Sequence, residues 1–554
     1  MLDSLNDDGH SLVKRLLIAI MAVTVLVYLR GLNGQFVWDD RLFFLDNDIL
    51  TSWRPWDFRK ILLESSTYWR DHIPATNFLF TIEYNLFGRS TTGYHIISLI
   101  LYLATGVLVY KLIRLIYVLA REKNRFARPS AEEWGASYSA VLVTAFFMLH
   151  PVHVEVVSYI TGQKDLLYGF FSLMALYGIA VYSSGRYSGR SGAVWLAISA
   201  ISYYLAFLSK AMAVSTAMFL PVFWLFVLRR KGEGVVRPIL FWLGLNLPAF
   251  VWAIYSLSKS VDLAAQLFTA GERVLLSIKV LGAHVSVALL PWPLNFGYPL
   301  NTTDSFDSNM FVGIVFLAVT AAFVARRPRS FVSLGLLLFL IFLLPVLQLF
   351  VRIQNALIFD RYLYIAVLGC ALVFERLLVF LSRQLRPGAV LVAALGVFIL
   401  LAGLTAAYVP MFHSDLASLS HAYRTFPGWK RPAFDYEYAL IEAGELEEAQ
   451  RVAVAERTFD APEWVRPYFM GWIMLERARP YEALEALEMA SYSAYIGGYF
   501  PFPDVPLGRA YVMLGKRHKA RAAFQRVVAK RTMQPLEYYK AKVELEAMDA
   551  DSGQ

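Results

Sequence analysis

Apolar runs of about 20 residues recur along the first three-quarters of this chain, and they dictate what it can fold into. At roughly 1.5 Å per residue, such a run crosses a hydrocarbon core of about 30 Å as an α-helix. Within lipid every backbone N–H and C=O must find its partner inside the protein, so the runs are helices packed on helices. Spans are expected at about 16–29, 96–119, 136–149, 166–182, 193–209, 211–228, 238–257, 309–325, 331–350, 362–382 and 388–409, eleven crossings in all. Of 554 residues, 57% are hydrophobic and only 17% charged, against about 25% charged in soluble domains.

The basic residues orient these spans. They cluster at Lys14-Arg15 and near 121–128, 186–190, 229–237, 326–329 and 383–386, short loops that belong in the cytoplasm by the positive-inside rule. The formal charge of +9 is therefore a topology signal, and nucleic acid is not an expected partner. An odd number of crossings places the N-terminus inside and the C-terminal region outside. Residues 273–290 are apolar enough to cross but carry Lys279 and His284 near their middle. A lipid-facing helix tolerates such groups poorly, so a re-entrant or interfacial helix is expected there. The first apolar run has no small-residue cleavage site and Arg30 follows it directly, so it reads as a retained anchor. The single cysteine, Cys370, forms no internal disulfide.

This topology gathers the ionisable residues on the outer face. The first outer loop, about 30–95, holds Asp39-Asp40 directly after the first span, then His95 at the start of the next. The second outer loop holds His150, His153, Glu155, Lys164 and Asp165. Lys210 sits in a tight turn, Tyr298 follows the re-entrant segment, and the fifth loop holds Gln354-Asn355, Asp360 and Arg361. Ionisable groups at a membrane boundary are costly to keep and are default functional candidates. Each also has a plainer reading: a solvated acid for Asp39 or Asp40, a snorkelling Lys210, an Asp360–Arg361 ion pair. His150 and His153 share a helical face, yet no third ligand lies at suitable spacing. No metal is required by the pattern, and a divalent ion stays open.

Several runs together resemble a known family. Phe36-Val37-Trp38-Asp39-Asp40, Ile73-Pro74-Ala75-Thr76-Asn77 and Gly93-Tyr94-His95 look like the N-terminal block of the transmembrane and tetratricopeptide-repeat O-mannosyltransferases. His150-Pro151-Val152-His153-Val154-Glu155, Gly162-Gln163-Lys164-Asp165, Leu208-Ser209-Lys210 and Arg361-Tyr362-Leu363-Tyr364 fit the later blocks. The sequence departs where Ile73 precedes Pro74 and where Ala211 follows Lys210. The resemblance implies the C-type glycosyltransferase superfamily (GT-C), multi-span enzymes that use polyprenyl-phosphate sugars and carry an acidic motif in the first outer loop.

From about residue 413 the long apolar runs stop. Turns at 443–449, 477–483 and 514–520 close on Ala449, Ala483 and Ala520, 34 and 37 residues apart, and about 34 is the tetratricopeptide period. The extra residues fit an insertion around 495–503. The chain is thus expected to be all-α: a GT-C-type membrane domain over 1–412, then a tetratricopeptide-repeat solenoid over 413–554 on the outer side.

Transfer to a hydroxyl needs a base for the acceptor proton, cations for the departing phosphate, and exclusion of water. Asp40 or Asp39 suits the first role, with Asp40 favoured as the one nearer open loop. Arg361, Lys210 and Lys164 suit the second, aided by His150 and His153. Glu155, Asp165, His95 and Tyr298 are candidates for substrate contact. One carboxylate acting as base implies inversion at the anomeric carbon. The partners are then a polyprenyl-phosphate sugar, membrane lipid, and a protein or peptide acceptor held by the repeats. The setting is a bacterial inner membrane with periplasmic repeats, or the equivalent lumenal face. Two alternatives stay open: a glycan or lipid acceptor, and a non-catalytic scaffold that presents the repeats.

Overall fold

The computed structural model describes residues 6–45, 48–64, 72–122, 135–187, 189–229, 240, 242–248, 251, 269–300, 306–349, 358–426, 430–455, 463–496, 503–529 and 535–552. No strand occurs among them. The chain divides into two compact units. One holds residues 1–36, 53–64 and 71–413; the other holds Val37–Ser52 and Ser414–Gln554, with 65–70. The stretch bearing Asp39-Asp40 groups with the repeats.

In the membrane unit, seven helices among the described residues are long and apolar enough to cross a bilayer, and eight if one bent pair counts as a span. They cover the expected spans near 16–29, 96–119, 166–182, 193–209, 211–228, 309–325 and 388–409. The remaining expectations change. Residues 136–149 continue into a second helix, Pro151–Ser158, bent by 53°. His150 precedes a proline, which disfavours helical backbone at that position, and it adopts φ −72°, ψ 126°. Phe331–Val346 is a shorter apolar helix, and the 362–382 segment is helical only over Val367–Leu381, after a 3₁₀ turn at Asp360–Leu363. Most of the 238–257 span and all of Gln354-Asn355 lie outside the described residues.

The 273–290 segment is a continuous helix, Ala270–Leu289. It runs antiparallel along Ser308–Arg326, with Gly282 against the Asn309 carbonyl and Gly313 against that of Ile278. Neither position has room for a Cβ, the small-residue approach typical of packed membrane helices. Lys279 and His284 are buried in protein, and Lys279 pairs with Asp307 at 3.4 Å. The two ionisable groups that argued against a lipid-facing crossing are thus covered by protein. The exits of the first and last spans meet: Gln35 N–H donates to His413 C=O at 2.9 Å. Both therefore leave the bundle at one end.

Among the described residues, the second unit holds the short helices Asp39–Phe44 and Asp48–Thr51, helix Asp415–Thr425, three helical hairpins and a closing helix. The hairpins are Lys430–Glu442 with Leu446–Ala455, Val465–Glu476 with Pro480–Ile496, and Asp504–Met513 with Arg517–Val528. Ala449, Ala483, Ala520 and Phe524 are fully buried where the helices meet. Gly515 turns the third hairpin at φ +72°, a conformation that costs glycine little. Residues 497–502 of the expected insertion lie outside the described residues. Helix Pro535–Ser552 follows.

Candidate functional site

Glu155, Lys164, Asp165, Lys210 and Arg361 lie where helices of the membrane unit break. Glu155 is carried by the helix after the His150-Pro151 break; Lys164 and Asp165 open helix Gln163–Ser184 after a 3₁₀ turn. Lys210 is extended (φ −161°, ψ 139°) between helix Gly189–Ser209 and the turn Ala211–Ala213. Arg361 lies on the 3₁₀ turn Asp360–Leu363. Breaks of this kind free backbone groups, and at membrane depth they persist only where protein or a cavity covers them.

These breaks converge. Glu155 accepts from the Arg361 backbone N–H at 2.8 Å and from its guanidinium. Asp165 Oδ1 receives the Lys210 ammonium at 2.5 Å. The Arg361 guanidinium carbon and Lys210 Nζ lie 5.6 Å and 5.8 Å from the centre of the Tyr362 ring, so both cations flank one aromatic ring. Half-buried Lys164 lies near enough to act on Lys210 electrostatically. Burial pulls the Lys210 ammonium down to about 8, with Asp165 opposing the shift. Among the described residues, buried Asp165 Oδ2 has no hydrogen-bond partner. The Asp360–Arg361 ion pair anticipated from adjacency does not form: Arg361 goes to Glu155, while Asp360 accepts from the Tyr298 hydroxyl at 2.6 Å. Burial, reinforced by Glu155, holds the Asp360 carboxyl well above its usual range.

The histidines brace these breaks. His153 Nε2 donates to Tyr364 C=O at 3.1 Å, and Nδ1 lies 2.7 Å from the Tyr102 hydroxyl. His150 Nε2 donates to Ala288 C=O at 3.1 Å, and Nδ1 accepts from Val152 N–H. His95 donates to Gly34 C=O at 3.1 Å. Both ring nitrogens of His150 and His153 are occupied by protein atoms. Among the described residues, no group of three or more His, Cys, Asp or Glu is placed to hold a metal ion. One contact went unread in the sequence: buried Glu83 accepts from the Gln163 amide at 2.8 Å. Burial pushes the Glu83 carboxyl up to about 8.

Asp39 and Asp40 lie in the second unit. Asp40 is fully buried, and its carboxylate accepts from Val37 N–H at 3.1 Å; Asp39 is exposed. The expectation that Asp40 faces open loop is thus reversed. Trp38 before them has φ +49°, uncommon for a residue with a side chain. Its N–H donates to Asp415 Oδ1 at 2.8 Å, and Arg41 reaches Glu442 at 3.2 Å. These contacts fix the acidic stretch on the first helices of the repeat unit.

Fold and site together define an all-α, multi-pass membrane protein with a helical-repeat unit and a buried, charge-rich cluster at its helix breaks. The chain is similar to protein O-mannosyl-transferases, the family that its motifs resemble. It is 30% identical over 176 residues to protein O-mannosyl-transferase F38B6.6 of Caenorhabditis elegans, covering 31% of this chain and 24% of the relative. It is 26% identical over 207 residues to protein O-mannosyl-transferase TMTC4 of Homo sapiens, covering 36% and 27%. It is 24% identical over 226 residues to protein O-mannosyl-transferase tmtc2 of Xenopus laevis, covering 40% and 25%. The matches span about a quarter of the length of these relatives. No protein-family model and no solved structure matches the chain.

Proposed function

We propose that the chain is an inverting GT-C glycosyltransferase that moves a sugar from a polyprenyl-phosphate donor to a serine or threonine hydroxyl of a protein, on the outer membrane face. The observation that carries this reading is the placement of Lys210 and Arg361 around Tyr362, each cation oriented by a buried carboxylate. A departing phosphate gathers negative charge, and fixed cations in a desolvated site stabilise it strongly. Glu155 holds Arg361 through backbone and side chain together, so the guanidinium is set in place before the donor arrives.

An apolar cavity of about 420 Å³ supports a lipid-linked donor. It is lined by Ala175, Ile179, Leu196, Tyr203, Trp224 and Trp242. It lies along helices Gln163–Ser184 and Gly189–Ser209, at whose ends Asp165 and Lys210 meet, and an isoprenoid chain fits such a wall. The relatives' names supply the protein acceptor. Exposed Asp39 is assigned as the base that takes the hydroxyl proton as the oxygen bonds the anomeric carbon and the carbon–phosphate-oxygen bond breaks. Asp40 shapes the turn that presents it.

The test is to incubate the purified chain in lipid with a panel of polyprenyl-phosphate sugars and serine- and threonine-rich polypeptides. Mass spectrometry should find a hydroxyl-linked hexose that depends on the lipid-linked donor. Transfer only to a glycan or lipid acceptor would favour the first alternative; no transfer at all, with outer-loop acids dispensable for cell phenotype, would favour the scaffold.

A further inference from the structure

Helix Ala270–Leu289 turns one face to the helix breaks. His284 and Ala288 are four residues apart and share that face. Ala288 C=O accepts from His150 Nε2 at 3.1 Å, and the His284 ring centre lies 6.1 Å from that of Tyr362. Away from this face, Gly282 packs against the Asn309 carbonyl and Lys279 pairs with Asp307, so the helix is held in register. Tyr362 is the ring that Lys210 and Arg361 flank. His284 is therefore a further neighbour of the cation cluster.

Its ring offers that cluster an acceptor. His284 Nδ1 lies 2.7 Å from Val280 C=O. A carbonyl only accepts, so Nδ1 carries the proton and Nε2 does not. The side chain is fully buried, and among the described residues Nε2 has no hydrogen-bond partner. Asp165 Oδ2 is in the same condition, on the carboxylate that holds Lys210 and close enough to act on Tyr362 electrostatically. A buried acceptor left bare is costly. The cluster thus combines cations that call for an anion with acceptors that call for donors. A phosphodiester satisfies only the cations, because it carries no donor of its own. A sugar joined to that phosphate supplies hydroxyls, and hydroxyls donate.

We propose that His284 is a sugar-binding residue of the donor site: its Nε2 accepts a hydroxyl of the sugar carried on the polyprenyl phosphate, beside Asp165 Oδ2. This rests on the lipid-linked donor proposed above and adds the residue that recognises the sugar. A site built to accept a hydroxyl discriminates against a ligand that lacks it, so His284 bears on which sugar is transferred, while Lys210 and Arg361 bear on the phosphate common to all such donors.

The experiment measures binding to the full chain in lipid nanodiscs. The probes are polyprenyl-phosphate mannose, glucose and galactose, and polyprenyl methyl phosphate, a phosphodiester of equal charge without hydroxyls. Wild type should bind at least one sugar-bearing lipid roughly tenfold more tightly than the methyl ester. His284→Phe keeps an aromatic ring beside Tyr362 and deletes both nitrogens. It should lose that preference while binding the methyl ester as wild type does, which also reports that it is folded. His284→Gln, which restores an acceptor, should regain most of it. One single-deoxy analogue of the preferred sugar should bind wild type roughly tenfold more weakly and cost His284→Phe nothing further. Lys210→Ala should weaken all the lipids alike. Equal wild-type affinity for the methyl ester and every sugar-bearing lipid, a comparison that needs no variant, would overturn the proposal and leave the phosphate site standing. A preference undiminished in His284→Phe would overturn it too and leave Nε2 to water. Wild type that binds none of the lipids would remove the lipid-linked donor, and this proposal with it.

Discussion

Asp39 and Asp40 are neighbours in sequence with opposite surroundings, and the difference is testable. Asp39→Asn keeps size but removes basicity, so turnover should fall by about 10²–10⁴-fold with donor affinity intact. Asp40→Ala removes a buried acceptor from Val37 N–H and should lower thermal stability by about 1–3 kcal/mol. If Asp39→Asn transfers sugar at the wild-type rate, Asp39 is not the base. Lys210 gives a pH dependence. Its ammonium titrates near 8 in the folded protein instead of at 10.5. Donor affinity should therefore fall as pH rises through about 8, and Lys210→Arg should abolish that limb. Between about 8 and 10.5 the unfolded chain binds more protons than the folded one, so stability rises with pH while donor binding falls. A donor affinity flat from pH 7 to 9 would remove Lys210 from the phosphate site.

At the scale of elements, the site is made of interrupted helices, and this explains what the sequence revealed. The polar islands between apolar runs were legible because they break hydropathy: His150 to Glu155, Lys164-Asp165, Lys210, Asp360-Arg361. Which partner each took was not. Glu155 and Arg361 are separated by 206 positions, and no local pattern selects Glu155 over adjacent Asp360. The bend at Pro151 follows from proline chemistry, but its angle depends on tertiary packing around Tyr102 and Tyr364. The helix at Ala270–Leu289 is legible in the sequence, but the Asp307 partner of Lys279 is met only in three dimensions. The His153 brace makes a prediction at this scale. His153→Phe would leave the Tyr364 carbonyl and the Tyr102 hydroxyl without this partner. It should cost about 1–3 kcal/mol in unfolding experiments in detergent. An unchanged melting temperature would show that the two helix ends are held without it.

Across the whole molecule, the first and last spans emerge at one end of the bundle, joined by Gln35 and His413. In the second unit the Asp39-Asp40 stretch is tied to helix Asp415–Thr425 through Trp38. The repeats and the acidic stretch should therefore share one side of the membrane, opposite the basic loops. A reporter fused at the C-terminus should be active only in the outer compartment; cytoplasmic activity would invert the topology and remove the lipid-linked donor from the account. The central claim is that the cations around Tyr362 receive the donor phosphate, and steady-state kinetics of Lys210→Ala and Arg361→Ala test it most directly. A charged hydrogen bond contributes about 1.5–3 kcal/mol, so each variant should lose roughly 10–150-fold in kcat/KM for the polyprenyl-phosphate sugar while remaining folded and binding acceptor normally. Wild-type kcat/KM in both folded variants would contradict the account.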